Sequence, residues 1–237
     1  MIITGNDPKT VLFRAIGPSM RSGGVLVPGR LDDPILELRD SNGALLTSND
    51  DWKDSPRRAE IEASGLAPSD DRESAILREL APGAYTAVLR GKDNNTGIAL
   101  VEAYDREMGA DSVLANISSR GFVETGDNVM IGGFIAGNQS GNTKVLLRAI
   151  APSLKSQLPN ALDDPVLELH DSNGATLATN DNWKDDQRTE IEATGIPPSH
   201  DLESAIVRTL APDAYTAIVR GNNNTVGVGL VEIYNIR

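Results

Sequence analysis

The sequence predicts an all-β fold of two tandem antiparallel β-sandwich domains, each with one short helix. The first reason is a repeat: VLFRAIGPS at Val11–Ser19 returns as VLLRAIAPS at Val145–Ser153, and LDDPILEL returns as LDDPVLEL. A period of about 130 residues fits a whole domain rather than a solenoid unit. The second reason is that most repeated segments are short, rich in Val, Ile, Leu, Thr and Tyr, and bounded by turn residues.

Comparison of the two copies places the domains at residues 1–105 and 112–237, with residues 106–111 as a polar linker. Two further strands are predicted within Asn116–Gly137, ahead of the second copy, whereas the first copy has only MIITG in this place. About 20 residues are therefore missing from the front of the first domain. An unpaired edge of this kind should be covered by another segment or another chain, unless the sequence is a fragment of a longer protein.

Along each copy, strands are predicted at VLFRAI, ILELRD, ALLTS, ESAILREL, AYTAVLRG and IALVEAY. The turn Asn42-Gly43 predicts a hairpin between the second and third of these strands, and the second copy repeats it. Asp54-Ser55-Pro56 predicts the start of a short helix that ends at Ala63, with Gly65 just beyond it. Pro82-Gly83 and the run Asp93–Asn95 are predicted hairpin connections.

Composition restricts the partners of this chain. Its net charge is −12 and its pI is about 4.6, so phosphate backbones and anionic lipids are repelled and no nucleic-acid partner is expected. No apolar run reaches the roughly 18 residues of a spanning helix, so no membrane insertion is expected. Cysteine is absent, which excludes disulfides and thiolate sites. The start, MIITG, leads directly into polar turn residues, so no signal peptide is expected in this chain.

LELRDSNGALLTSNDDW, followed by AILRELAPGAYTAVLRG, resembles the pre-peptidase C-terminal type of β-sandwich in secreted bacterial proteins. The Asn49–Asp51 cluster and the segment Pro82–Tyr85 carry the resemblance, which covers about half of each copy. RAIGPS, LDDP and the helix with SDDRES lie outside that pattern. The resemblance implies a jelly-roll-like sandwich that serves as an extracellular or cell-surface, non-catalytic module, sometimes calcium-stabilised and often attached to a larger protein.

An acid and amide cluster follows the hairpin in each copy, and Ca²⁺ is the one cofactor that it suggests. Calcium takes six to eight oxygen ligands, which Asp, Asn and backbone carbonyls can supply from a tight loop. The candidate ligands are Asp40, Asn49, Asp50, Asp51, Asp171, Asn180, Asp181 and Asn182. Turn chemistry alone is the alternative explanation. Because Asn182 replaces Asp51, the second site is expected to bind more weakly.

Trp52 and Trp183 are the only tryptophans and occupy equivalent positions beside these polar loops. They are candidates for stacking on the faces of sugar rings. The alternative is a side chain that folds down and closes one end of the sandwich.

No catalytic residue is predicted. Charges within the strands recur in both copies, at Arg14, Glu37, Arg90 and Glu102 in the first, and are expected to form cross-strand Arg–Glu ion pairs rather than a carboxylate pair of a glycosidase. Neither histidine recurs at the equivalent position of the other copy, and no nucleophile motif is present.

The expected function is therefore a non-catalytic extracellular structural or adhesive module. One alternative is a subunit of an extracellular filament or surface assembly, joined by donation of a strand into the first domain. The other is a carbohydrate-binding module of a secreted enzyme. The expected partner is thus a protein, through self-association or within a larger parent protein, or a polysaccharide.

Overall fold

The computed structural model describes residues 1–107, 109–137 and 141–236, so Met108 of the predicted linker lies outside the described residues. The chain divides into two compact units, Met1–Leu114 (unit 1) and Ala115–Arg237 (unit 2). Antiparallel strands dominate both units and each has one short α-helix, which confirms the predicted all-β fold class.

Unit 1 contains ten short strands and the helix α1. Its elements are β1 Ile2–Gly5, β2 Lys9–Ile16, β3 Arg21–Ser22, β4 Val25–Leu26, β5 Pro34–Arg39, β6 Leu45–Asn49, α1 Arg58–Ala63, β7 Ser74–Leu80, β8 Gly83–Ala84, β9 Thr86–Gly91 and β10 Leu100–Asp105. The chain then enters β11, Ser112–Val123, whose first three residues belong to unit 1. The boundary between the units thus falls inside a strand.

Unit 2 continues from β11 with seven further strands and the helix α2. These elements are β12 Met130–Ala136, β13 Thr143–Ile150, β14 Pro165–His170, β15 Thr176–Asn180, α2 Arg188–Ala193, β16 Ser204–Leu210, β17 Asp213–Gly221 and β18 Gly227–Asn235. They form two sheets, in the orders β16-β13-β18-β11 and β12-β17-β14-β15. Counted from β11, these orders read 6-3-8-1 and 2-7-4-5, the arrangement of an eight-stranded jelly roll.

The two sheets of unit 2 bury a core between their facing sides. In β12 the side chains alternate strictly, with Met130 and Phe134 buried and Ile131 and Ile135 exposed. This period of two is what a strand with one buried face requires. The buried side of β12 joins residues from β13, β14, β17 and β18 in one core cluster.

The two main sheets of unit 1 have the orders β10-β2-β7 and β6-β5-β9, so each has one strand fewer than its counterpart. Among the described residues of unit 1, no strand corresponds to β11 or to most of β12. β1 supplies only the end of the second strand, because Ile2 pairs with Ala84 as Ile135 pairs with Ala214 in unit 2. Unit 1 is therefore an incomplete copy of the sandwich in unit 2.

The predicted hairpin between β5 and β6 is confirmed. Leu36 pairs with Asn49, and the amide of Asp40 donates to the carbonyl of Ala44 across the turn. Gly43 has φ of +80°, a conformation that glycine adopts without steric cost.

The predicted hairpins at Pro82-Gly83 and Asp93–Asn95 are wrong. Pro82-Gly83 links β7, which pairs with β2, to β9, which pairs with β5. The run Asp93–Asn95 links β9 to β10, whose described partner is also β2. Both turns carry the chain from one sheet to the other, a crossing that the local turn residues do not reveal.

The predicted helix start is also wrong, although its end is correct. α1 begins at Arg58 and has no side-chain cap, while the hydroxyl of Ser55 accepts the amide of Arg57 ahead of the helix. Asp54 closes a separate 3-10 turn. Gly65 follows the helix with φ of +73°, as a C-terminal glycine should. No helix in the described ranges is long and apolar enough to span a membrane.

A buried glutamate ties two loops of each unit together. Glu73 is fully buried, and its Oε1 accepts the amide of Gly17 at 3.2 Å and the amide and hydroxyl of Ser19 at 2.9 and 2.6 Å. Its Oε2 accepts the amide of Asp70 at 3.2 Å. Glu203 makes the equivalent contacts in unit 2. The Glu73 carboxylate thus takes the place of water as the hydrogen-bond acceptor of four donors.

We expect Glu73→Gln to destabilise unit 1 by about 2–3 kcal/mol, since hydrogen bonds to a buried charged acceptor are lost and an amide NH₂ faces other donors. The measurement is the free energy of unfolding in urea. Glu79→Gln is the matched control, because Glu79 is exposed, and it should change stability by less than about 0.5 kcal/mol. Equal effects of the two variants would contradict this role of Glu73.

Candidate functional site

The start of β5 and the loop after β6 are held together by one serine. The hydroxyl of Ser74 donates to the carbonyl oxygens of both Pro34 and Asp50, the latter at 2.7 Å. Asp33, which precedes Pro34, is thereby placed beside Asp50 although 17 positions separate them in the sequence. Ser204 makes the same two contacts in unit 2.

Three carboxylates converge at this place in unit 1. One oxygen from each of Asp33, Asp50 and Asp51 lies within 4.8 Å of the other two. Oxygens that surround one calcium ion at 2.3–2.6 Å are separated by up to about 5 Å, so this spacing fits a shared ion.

Several oxygens of the cluster are buried without a partner. Oδ1 of Asp33 and Oδ1 of Asp50 are inaccessible to solvent, and no donor among the described residues reaches either atom. The equivalent Oδ1 atoms of Asp164 and Asp181 are in the same situation in unit 2, together with Oδ1 of Asn182. Buried polar atoms normally have a partner. The equivalent atoms lack a described protein donor in both units, so this arrangement belongs to the repeat rather than to one copy.

The two units differ in the residue that faces these carboxylates. In unit 1 the ammonium group of Lys92 lies 2.7 Å from Asp50 and 3.6 Å from Asp33. In unit 2 the amide of Asn222 donates to Asp164 at 2.9 Å and lies 3.5 Å from Asp181. Three carboxylates with one ammonium and two carboxylates with a neutral amide carry the same net charge of about −2 at neutral pH. Because the two net charges are equal, the replacement of Asp51 by Asn182 no longer predicts weaker calcium binding in unit 2.

Burial and a neighbouring negative charge raise the pKa of one carboxyl in each unit. For Asp51 the main cause is burial, followed by the charge of Asp50. For Asp181 the main cause is again burial, followed by the charge of Asp164. The hydrogen bond to Asp50 raises the pKa of Lys92, so this ammonium stays charged. A cation bound here would reverse both carboxyl shifts by favouring the ionised form.

The structure brings together only some of the predicted ligands. Asp40 and Asp171 lie in the hairpin turns, where each Oδ1 accepts two backbone amides of its own turn. Asn49 bridges the backbone of Asp51 and Ala75, and Asn180 does the same in unit 2. These four side chains therefore shape the loops, as the turn-chemistry alternative proposed.

Asp50, Asp51, Asp181 and Asn182 do lie at the site, whereas the sequence analysis missed four of its residues. The missed residues are Asp33, Lys92, Asp164 and Asn222. The signal that could have found two of them is the repeated LDDP, which lay outside the family pattern and had no assigned role.

Neither tryptophan offers a ring face to a sugar. Trp52 is 6% exposed and Trp183 is 5% exposed, and each packs beneath the helix of its unit, against Ile61 or Ile191. The predicted stacking role therefore does not fit, because the helix and the sheet enclose the rings. The alternative, a buried side chain, describes both residues.

Glu102 and Glu37, whose carboxylates lie on strands, form ion pairs with arginines. Arg14 Nε donates to Glu102 at 2.8 Å across the β2–β10 pair, and the hydroxyl of Tyr104 donates to the same carboxylate. Glu37 accepts from Arg39 on its own strand and lies 3.5 Å from Arg90 on the next. The expected cross-strand ion pairs are present. The pair of Arg14 and Glu102 is largely buried. A second guanidinium nitrogen of Arg14 donates to the carbonyl of Leu66 near the helix.

No family model and no curated protein matches this chain. Among solved structures, it is similar to the pre-peptidase C-terminal domain of a collagenase from Bacillus anthracis, with 11% identity, a TM-score of 0.32, and coverage of 50% of this chain and 89% of that one. It is also similar to a chain of Sulfolobus Turreted Icosahedral Virus, with 10% identity, a TM-score of 0.29 and coverage of 99% and 85%. A third similarity, to VP2 of infectious bursal disease virus, has 9% identity, a TM-score of 0.21 and coverage of 98% and 58%.

We expect Asp51→Asn to stabilise the protein in chelator at about pH 7 by about 0.5 kcal/mol, because a carboxylate that is partly buried and lies beside Asp50 becomes a neutral amide. Because the pKa of Asp51 is raised by folding, its ionised form opposes folding above that pKa, and the penalty disappears as the pH falls and the carboxyl is protonated. The advantage of the variant should therefore shrink as the pH approaches about 4.

The measurement is the unfolding midpoint of both proteins in EDTA as a function of pH. Asp93→Asn is the matched control, because Asp93 is exposed and the second copy carries Asn223 at this place. Its effect should vary little with pH. If the unfolding midpoint of Asp51→Asn in EDTA at neutral pH were lower than that of the unchanged protein, the expected destabilising effect of the Asp51 carboxylate would be refuted.

Proposed function

We propose that the chain is a non-catalytic extracellular structural or adhesive module in which one calcium ion stiffens the paired loops of each sandwich. The observation that carries the calcium site is the set of buried Oδ1 atoms that no described donor reaches. These atoms belong to Asp33 and Asp50 in unit 1 and to Asp164 and Asp181 in unit 2.

The chemistry of the cluster favours calcium over other metals. All of its side chains offer oxygen and none offers sulfur, since the chain has no cysteine. Zinc and copper sites use thiolate or imidazole ligands, whereas carboxylate and carbonyl oxygens suit calcium and magnesium. The ligands lie on loops rather than in a rigid octahedral frame, and calcium accepts such irregular geometry more readily than magnesium.

An extracellular setting fits a site of modest charge. Extracellular calcium modules bind with dissociation constants of about 10⁻⁴–10⁻³ M, which the free calcium outside cells can satisfy. The resemblance to the pre-peptidase C-terminal type of sandwich supports the same location. Fractionation of producing cells, followed by immunodetection, tests this part: recovery of the protein only from the cytosol would refute it.

A structural role also agrees with the state of the strand carboxylates. Glu102 in unit 1 and its counterpart Glu232 in unit 2 each accept hydrogen bonds from an arginine and a tyrosine. Because these partners orient each carboxylate, it serves the sheet rather than a substrate. Hydrolase activity that depends on either residue would refute the non-catalytic assignment.

We expect calorimetric titration of the chelator-treated chain to show two calcium ions per molecule. Asp33→Asn should remove one ion and Asp164→Asn the other, because each variant replaces a carboxylate of the cluster with a neutral amide. Calcium at 100 times the dissociation constant should stabilise the occupied unit by about 2.7 kcal/mol. The second measurement is the rise in the unfolding midpoint on adding calcium to each variant.

Two further variants make the result specific. Asp93→Asn removes a charge close in sequence to Lys92 but outside the cluster, and should leave both ions in place. Lys92→Asn, which copies Asn222, should tighten binding in unit 1 because it removes the competing ammonium group. An unfolding midpoint that does not change with calcium, together with no heat of binding, would eliminate the calcium site.

A further inference from the structure

The strand β12 forms an open edge of its sheet in unit 2. In the order β12-β17-β14-β15 it lies at one end, and among the described residues its backbone pairs only with β17. Seven consecutive pairs join the two strands without a shift in register, from Met130 opposite Val219 to Ala136 opposite Asp213. A straight edge strand presents a row of N–H and C=O groups to which another strand can pair. β12 therefore has the geometry of a docking edge.

The exposed face of this strand is apolar. Ile131 and Ile135 are 56% and 78% exposed, and Gly133 lies between them on the same face. On the neighbouring strand, Ile218 lies opposite Ile131 and Ala214 lies opposite Ile135. β12 contains no charged residue and no proline, the residues with which proteins commonly protect an edge. Its sequence thus does nothing to prevent pairing.

Two other edges of unit 2 are protected. On β16 the amide of Ala205 donates to Oδ1 of Asn180 at 2.9 Å. The side chain of Gln187 accepts the amide of Val207 at 3.1 Å and donates to the carbonyl of Val207 at 2.9 Å. β15 is only five residues long and pairs with β14 through a shift in register. Bound edge groups, short strands and irregular pairing all discourage the addition of a strand, so β12 differs from both.

Gly133 has no structural reason within its own unit. A Cβ atom at this position would meet nothing within 4 Å, and its backbone is outside the left-handed region that favours glycine. Gly132 differs, because it faces the core and a Cβ atom there would lie 3.0 Å from Cγ1 of Val231. A glycine inside a strand weakens the strand and often marks the close approach of another backbone. Gly133 therefore points to a neighbour beyond the edge.

We propose that β12 pairs antiparallel with β12 of a second copy of this chain, about a two-fold axis at Gly133. In this register Ile131 lies opposite the partner's Ile135, and Gly133 lies opposite its own equivalent. The apolar row Ile218–Ile131 then continues into the partner's Ile135 and Ala214. Such a contact uses the same patch on both copies and closes at a dimer. None of these residues belongs to the acidic cluster, so the proposal goes beyond the calcium site.

A second copy fits this edge because β12 is complementary to itself. In an antiparallel pair, residues directly opposite each other turn their edge groups the same way, and pairing about Gly133 meets this condition at every position. On the core side, Met130 comes opposite the partner's Ala136, and Phe134 comes opposite the partner's Gly132. Each large side chain thus meets a small residue. The strand also brings no charge to the contact, which matters in a chain of net charge −12.

The test is sedimentation equilibrium of the full chain over a range of concentrations. We expect a monomer–dimer equilibrium that shifts toward the dimer as NaCl is added, because salt screens the repulsion between two acidic copies. Ile135→Lys should raise the dimer dissociation constant at least about tenfold, since it places an ammonium group in the apolar row. Val226→Lys is the matched control, because Val226 is 53% exposed and lies outside the strands, and it should dimerise like the unchanged chain. Melting curves establish that both variants fold.

Engineered cysteines report the register, because the chain has none of its own. An oxidised mixture of Ile131→Cys and Ile135→Cys should give a disulfide-linked dimer, since the two positions lie opposite each other in the proposed pair. Each variant alone should remain uncrosslinked. Its two cysteines would be offset by four residues, about 13 Å along the strand, beyond the roughly 7 Å that a disulfide can bridge between Cα atoms.

Three outcomes would overturn the proposal. One is a monomer at every concentration, which would leave the edge to a strand of another kind. The second is a dimer that Ile135→Lys and Val226→Lys affect equally, which would place the contact elsewhere. The third is crosslinking of either single variant in preference to the mixture, which would assign a different register. Asp33→Asn and Asp164→Asn leave β12 unchanged and should dimerise normally, so failure of the calcium site would be seen separately.

Discussion

The structure of each unit depends on one Glu-Ser pair at the start of the strand that follows the helix. Glu73 is buried and uses its carboxylate to gather backbone donors from two loops, while Ser74 gathers two carbonyl oxygens. The amide of Trp52 adds a third attachment through the carbonyl of Glu73. Together these contacts fix how the chain enters β5 and leaves β6, so the hairpin lies in one register against the second sheet.

The contacts of Ser74 also bring the acidic cluster together. Once Ser74 joins Pro34 to Asp50, the carboxylate of Asp33 must lie beside the carboxylates of the next loop. Buried like charges cost free energy unless a cation or a donor compensates them. The two copies compensate differently, with an ammonium at Lys92 and an amide at Asn222, and both leave buried oxygens without a protein donor. The arrangement recurs among the described residues of both copies, so it is a property of the repeat.

The sequence was informative where local chemistry decides the structure. The strands, the Asn42-Gly43 hairpin and the glycine after the helix were predicted correctly because each depends on neighbouring residues. The site was predicted only in part. Asp40 suits a calcium ligand by residue type, yet its Oδ1 accepts two amides of its own turn. Asp33 instead reaches the cluster through tertiary contacts of Ser74 that no local pattern encodes. The same limit explains the two turns that cross between sheets.

The two units also provide an internal comparison of what an edge requires. Arg14 and Tyr104 hold Glu102 on β10 as Arg148 and Tyr234 hold Glu232 on β18, although β18 also pairs with β11 whereas β10 pairs only with β2 among the described residues. Unit 1 differs at the end of β10, where buried Lys9 forms an ion pair with partly exposed Asp105 and unit 2 has Thr143 and Asn235. The Arg-Glu-Tyr arrangement therefore depends on the strand pair inside each sheet rather than on the strand beyond it.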